Sequence, residues 1–100
     1  MSQITYTQNA LQNLGEIADF WRNTPDIGIR AINEIQKRIA TLKNLPNIGK
    51  PCPDDDGKTR LLSVPFGSNG YLVRYLYDQN QDTVFLLAIR NFRQAGFSEN

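Results

Sequence analysis

The side chains of this 100-residue chain that could do chemistry are few, and histidine is not among them. Its absence removes His–Ser and His–Cys nucleophile pairs, imidazole zinc sites and the usual acid–base group near neutrality. Cys52 is the only cysteine, set between Pro51 and Pro53. It has no disulfide partner, no companion metal ligands and no neighbouring base to activate it, so it reads as a small loop residue. Asp54-Asp55-Asp56-Gly57 is acidic enough to suggest a cation site. Consecutive side chains point apart, however, whereas a calcium loop alternates its ligands and closes with a distal glutamate. Asp-Gly is turn chemistry, and the segment reads as a solvated loop. Gly67 and Gly70 bracket a hairpin with no helix after it, so no phosphate-cradling loop is present. Nothing here calls for a metal or a cofactor.

Arginine offers more. Arg60 opens a predicted strand, Arg74 lies within one, Arg90 ends the last, and Arg93 follows. Guanidinium groups converging from hairpin-linked strands bind phosphate or carboxylate through paired bonds. The alternative is that they are surface charges paired with Asp78, Asp82 or Glu99. Arg74, flanked by leucines in its own register, is expected in a structural ion pair; for Arg60, Arg90 and Arg93 both readings stand.

The elements that must position these residues follow from periodicity. Ile4 to Thr7 are β-formers and predict a short first strand. Leu11, Leu14, Ile17, Ala18 and Trp21 recur at helical spacing, predicting an amphipathic helix from Thr7–Asn9 to near Asn23. Thr24-Pro25-Asp26 restarts a helix as cap, first helical residue and dipole complement. Ile32, Ile35, Ile39 and Leu42 continue its stripe until Leu45-Pro46 stops it. With almost no linker, the two helices must fold back as an antiparallel hairpin. Residues 46–59 read as one irregular segment. Strands are then expected at Arg60–Val64, Tyr71–Tyr77 and Thr83–Ile89, the last apolar on both faces and so central. The order is β-α-α-β-β-β: an α+β domain over residues 1–100, with the helical hairpin on a small, mainly antiparallel sheet. The first strand is expected beside the last or second-last.

Composition bounds the function. A 40% apolar, 21% charged chain is ordinary for one globular domain. A net charge of +1 argues against coating nucleic acid by bulk charge. No run approaches a membrane span, the N-terminus lacks a signal pattern, and a small domain without disulfides suits the cytosol.

Several segments carry a joint signal: the helix with Ala10, Leu14, Ile17 and Phe20-Trp21, the run Leu45-Pro46-Asn47-Ile48-Gly49-Lys50-Pro51, the arginine-led strand Arg60-Leu61-Leu62-Ser63-Val64 and the aromatic strand Tyr71-Leu72-Val73-Arg74-Tyr75. The most specific piece is Leu87-Ala88-Ile89-Arg90-Asn91-Phe92-Arg93-Gln94-Ala95-Gly96-Phe97. Together these segments resemble the RelE/ParE family of toxins from bacterial type II toxin–antitoxin modules, and the last is similar to the ending of ParE-like members.

The resemblance implies a cytosolic growth inhibitor neutralised by a ParD-like or other antitoxin. RelE-like members cut messenger RNA on the ribosome, whereas ParE-like members act on DNA gyrase. Cleavage by a 2′-hydroxyl needs a base, an acid and cationic charge on the phosphate. Lys50, Lys58, Arg60 and Arg90 could supply the charge. Asn91 stands where many relatives carry histidine, and Phe97 where nucleases offer a tyrosine. A lysine of depressed pKa is the remaining base. The expectation is therefore a non-enzymatic gyrase inhibitor, with Arg60, Arg90, Asn91, Arg93 and Phe97 as target contacts. A ribosome-dependent endonuclease and a non-toxic partner-binding module are the alternatives. The antitoxin is expected in the hairpin groove around Leu11, Ile17, Trp21 and Ile32, and at an open sheet edge. Trp21 also reads as core. Promoter DNA would be read by the antitoxin, not by this chain.

Overall fold

A computed structural model describes residues 1–92. Strand β1 (Gln3–Tyr6) leads into helix α1 (Gln8–Phe20), and helix α2 (Pro25–Ala40) follows after a tight turn. Strands β2 (Lys50–Pro51), β3 (Arg60–Val64), β4 (Tyr71–Asp78) and β5 (Thr83–Asn91) complete the chain. They form one sheet in the order β1-β5-β4-β3-β2. The first strand lies beside the last, and the pairing is parallel, Ile4 against Val84 and Tyr6 against Leu86. All other pairings are antiparallel. No helix among the described residues is long and apolar enough to cross a membrane.

Both helices cover the same face of the sheet. Ala10, Leu14 and Ile17 of α1, with Ala31, Ile35 and Ile39 of α2, pack on Leu62, Val64, Tyr71, Val73, Tyr75, Val84, Leu86 and Ile89. Thr7 starts α1: its Oγ1 accepts from the Ala10 amide at 3.2 Å and donates to the Leu86 carbonyl at 2.6 Å. One hydroxyl thus caps the helix and ties it to β5. The helix stops at Phe20, three residues short of the expected end. The Thr24 amide bonds the Trp21 carbonyl at 2.8 Å, closing a turn, and the residue before Pro25 is disfavoured in helical geometry. Thr24 makes no side-chain cap, although Pro25 does open α2. The second helix also ends early. Thr41 Oγ1 donates to the Arg38 carbonyl at 2.6 Å, and the chain tightens into a 3₁₀ turn over Thr41–Lys43.

The segment read as irregular contains β2, a strand too short for any periodicity to reveal. It follows Gly49, whose amide donates to the buried Tyr75 hydroxyl at 2.9 Å. A Cβ there would lie 2.7 Å from the Tyr75 ring, so only glycine fits. On the far face of the sheet, Arg74 makes the ion pair expected of it, Nη2 to Asp55 Oδ2 at 3.5 Å. The same guanidinium reaches Thr59 Oγ1 at 3.1 Å and the buried Cys52 Sγ at 3.2 Å. Asp56 and Gly57 have φ of 59° and 81°, the left-handed turn that Asp-Gly permits.

Strand β5 outruns β1. Beyond Leu86 it has no strand on that side, and α1 supplies the missing partners. Asn9 Nδ2 donates to the Leu87 carbonyl at 2.9 Å, and the Ile89 amide donates to Asn13 Oδ1 at 2.9 Å. Asn13 is buried, and its amide donates to Glu16 Oε1 at 3.2 Å.

Two outcomes follow. Asn13→Ala strips the buried Ile89 amide of its acceptor and is expected to lower stability by about 1–3 kcal/mol, read from the denaturant midpoint. Asp55 is held below the ordinary carboxylate range, chiefly by the Thr59 hydroxyl and secondarily by Arg74; Ser2 and Tyr77 do the same for Asp82. A depressed carboxylate contributes stability above its unfolded pKa, and that contribution is lost as pH falls through the folded value. The midpoint should therefore drop as pH falls below the ordinary carboxylate range. Asp55→Asn should make that drop shallower.

Candidate functional site

Two clefts mark the surface of the described residues. The larger, about 630 Å³, opens where the end of α1 meets the ends of β4 and β5. It is lined by the buried Ile17 and Ile89, by the aromatic Phe20 and Tyr71, and by Arg90 and Asn91. The aromatic pair is braced. Trp21 Nε1 donates to the Tyr71 hydroxyl at 3.0 Å, and Phe20 meets Trp21 edge-on with centroids 5.0 Å apart. Phe20 is nonetheless 68% exposed, an ordered aromatic presented to solvent. Gly28 permits this corner, because a Cβ there would lie 2.9 Å from Trp21 Cβ.

The cleft's carboxylates are engaged. Glu16 accepts from Asn13, and Asp19 pairs with Arg22 at 3.3 Å. Arg90 is exposed and its side chain forms no hydrogen bond or ion pair among the described residues, so its guanidinium is available to a partner.

The smaller cleft, about 420 Å³, lies beside the free stretch of β3. Ile48, Leu61, Leu72 and Phe92 give it apolar walls, and Lys50 and Arg38 give it charge.

The four cations considered for phosphate chemistry do not converge. Lys50 lines the smaller cleft and Arg90 the larger; Lys58 and Arg60 line neither. Lys58 sits exposed in the turn before β3. Arg60 Nη1 donates to the carbonyls of Gly49 at 2.8 Å and Asn47 at 3.2 Å. Arg60 Nη1 is thus engaged by the loop and not by a surface carboxylate, while its Nε and Nη2 make no bond among the described residues. It braces the loop that Tyr75 also holds. Burial pushes the Tyr75 hydroxyl above its ordinary pKa, with the Gly49 amide and the Arg60 charge acting in the opposite direction. Tyr77 is raised by its bond to Asp82, 2.7 Å away.

Asn91 lines the larger cleft with Arg90. Arg93 and Phe97 lie outside the described residues. Of the expected partner-groove residues, Leu11 is 51% exposed and Ile32 is half-buried on the helical hairpin. Ile17 belongs to the core. Trp21 is half-buried, packed against the core and bonded to Tyr71. Phe20, Tyr71, Arg38 and Phe92 were not singled out from sequence as site residues. An aromatic just past the last inward position of a helix is the signal that points to Phe20; Arg38 carries none.

Residues 4–96 match the model of the ParE toxin of the type II toxin-antitoxin system, parDE. No curated protein sequence matches at a significant level. Among solved structures, the chain is similar to the chromosomal ParDE toxin–antitoxin system of P. aeruginosa, with TM-score 0.70 and 17% identity. That alignment covers 91% of this chain and 96% of that one. The RelBE2 toxin–antitoxin complex of Mycobacterium tuberculosis gives TM-score 0.61 at 21% identity, covering 90% and 96%. The intact E. coli RelBE complex gives 0.59 at 14%, covering 90% and 95%. At these identities the structures speak to the fold, a RelE/ParE-like α+β arrangement, while the family model spans nearly the whole sequence. The chain belongs to the ParE toxin family of type II toxin–antitoxin systems.

Proposed function

We propose that this chain inhibits DNA gyrase by binding, without hydrolysing RNA, and is neutralised by an antitoxin. One observation carries the reading: the cations that phosphoryl chemistry would have to gather are dispersed. Arg60 gives its Nη1 to two backbone carbonyls, and Lys50 and Arg90 line separate clefts. A cleavage site must hold base, acid and charge around one phosphate, because its rate depends on their preorganisation. The rival activity, ribosome-dependent messenger RNA cleavage, would require these dispersed cations to gather around one phosphate.

Target contact falls on the larger cleft. Its free Arg90 and braced aromatic residues are the residue types that dominate interface energetics, and Asn91 lines it too. Arg93 and Phe97, which lie outside the described residues, are the further contacts that the sequence suggests. Gyrase is the target that the ParE-like ending of the sequence favours. Two of the similar structures are described as toxin–antitoxin complexes, and the hairpin here offers a matching receptor. Leu11 and Ile29, 51% and 60% exposed, flank the half-buried Ile32, an apolar strip suited to an amphipathic partner helix.

Induced expression with two readouts in the same cells tests the proposal: plasmid supercoiling and the integrity of translated transcripts. Relaxed or broken DNA with intact transcripts is expected. Cut transcripts with normal supercoiling would overturn it. Arg90→Ala should abolish growth arrest and leave the thermal midpoint unchanged, since the side chain makes no bond within the described fold.

A further inference from the structure

Helix α1 ends on two aromatic residues that are placed differently. Trp21 is half-buried against the core, whereas Phe20, the last helical residue, is 68% exposed at the larger cleft. A single exposed apolar side chain is ordinary on a protein surface. The construction that holds this one is not. Phe20 meets Trp21 edge-on, with the ring planes at 89°. Trp21 Nε1 donates to the Tyr71 hydroxyl, and the Tyr71 ring lies 6.2 Å from that of Phe66. The Arg30 guanidinium then stands 5.9 Å from the Phe66 centroid. This row ties the end of α1 to β4, to the turn between β3 and β4, and to α2. Phe20 is the one exposed ring in it.

The charge at the cleft is balanced rather than basic. Glu16, Asp19 and Arg22 come from α1 and the turn after it, and Arg90 comes from β5. Asp19 pairs with Arg22, which leaves Glu16 with no cation and Arg90 with no anion among the described residues. A nucleic-acid backbone would meet Glu16 as a like charge, and it would lack the basic excess on which its binding depends. A polypeptide carrying an apolar side chain between charges of both signs fits the arrangement.

Resting on the gyrase-binding reading above, we propose that Phe20 is the anchor of the target contact and that Trp21 and Tyr71 are its positioning residues. The partner is a polypeptide segment of the target. It packs an apolar side chain on Phe20 and sets an acidic residue on Arg90 and a basic one on Glu16. The row of rings fixes Phe20 before the partner arrives, so little rotamer freedom is lost on binding. Rigid aromatics beside an apolar surface are where interface energy concentrates.

Binding of the full chain to purified gyrase, with 5-hydroxytryptophan incorporated at Trp21, tests this, because that indole can be excited apart from the target's tryptophans. Trp21 is the only tryptophan of the chain, so the signal has one source. Its quenching by iodide is expected to fall when gyrase binds. Phe20→Ala should weaken binding about tenfold or more, with a thermal midpoint close to the wild type because the ring is exposed. Tyr71→Phe keeps the ring and loses the bond to Trp21. It should weaken binding about threefold to tenfold in the wild-type chain and no further in the Phe20→Ala chain, as expected of residues that act as a unit. Equal losses in both backgrounds overturn the positioning role. A gyrase complex with unchanged quenching, in which Phe20→Ala binds as tightly as the wild type, overturns this proposal alone. Absence of gyrase binding overturns the gyrase reading with it. Shielding of the indole by duplex DNA without gyrase also overturns the proposal.

Discussion

The architecture turns on how the exposed flank of β5 is satisfied. A parallel neighbour four residues long cannot accompany a nine-residue strand, and buried peptide groups left without partners would be costly. Helix α1 resolves this by presenting asparagine amides at Asn9 and Asn13, one turn apart on the side facing the sheet. The bonds do more than neutralise an edge. They set the rotation of α1, which brings Ala10, Leu14 and Ile17 onto the core and carries Phe20 and Trp21 to the end of the molecule. The larger cleft exists because the helix is fastened there while β5 continues to Asn91.

A second set of constraints shapes the opposite side. The segment between α2 and β3 has almost no regular structure, yet it is held at several points. Tyr75 and Arg60 grip the residues around Gly49, and Arg74 gathers Cys52, Asp55 and Thr59. Arginine serves as scaffold in both places. Side chains whose charge could meet an anion meet carbonyls and a carboxylate of their own chain there.

Much of the fold was legible in the sequence, and the reasons are specific. Helical spacing in Leu14, Ile17 and Trp21, and in Ile32, Ile35 and Ile39, marked two helices with a proline between them. The apolar run from Thr83 to Ile89 marked a strand, though not the middle one, which is β4, and the helices cover only one face of it. The arginine flanked by leucines marked an internal ion pair. Helix ends were overextended at both C-termini, because a turn closed by Trp21 and a back-bonding Thr41 leave no periodic trace. Strand β2 was hidden by its two-residue length. The site was less legible still. Arg60 was expected at a binding surface and proves to be bonded to two carbonyls, a fact that depends on the path of a loop. Ile17 was expected in a partner groove, yet the register imposed by Asn13 turns it into the core. Arg38 and Phe20 acquire meaning only from what lies across from them in space.

The central claim is that this ParE-family chain acts on gyrase as a binding inhibitor through the cleft between α1 and β5. Its most direct test is a reconstituted reaction containing only purified gyrase, relaxed plasmid, ATP and the purified chain. The account predicts loss of supercoiling with accumulation of cleaved plasmid, and no effect from the Arg90→Ala protein. Supercoiling that proceeds unchanged at saturating amounts of a chain that still arrests growth would contradict it.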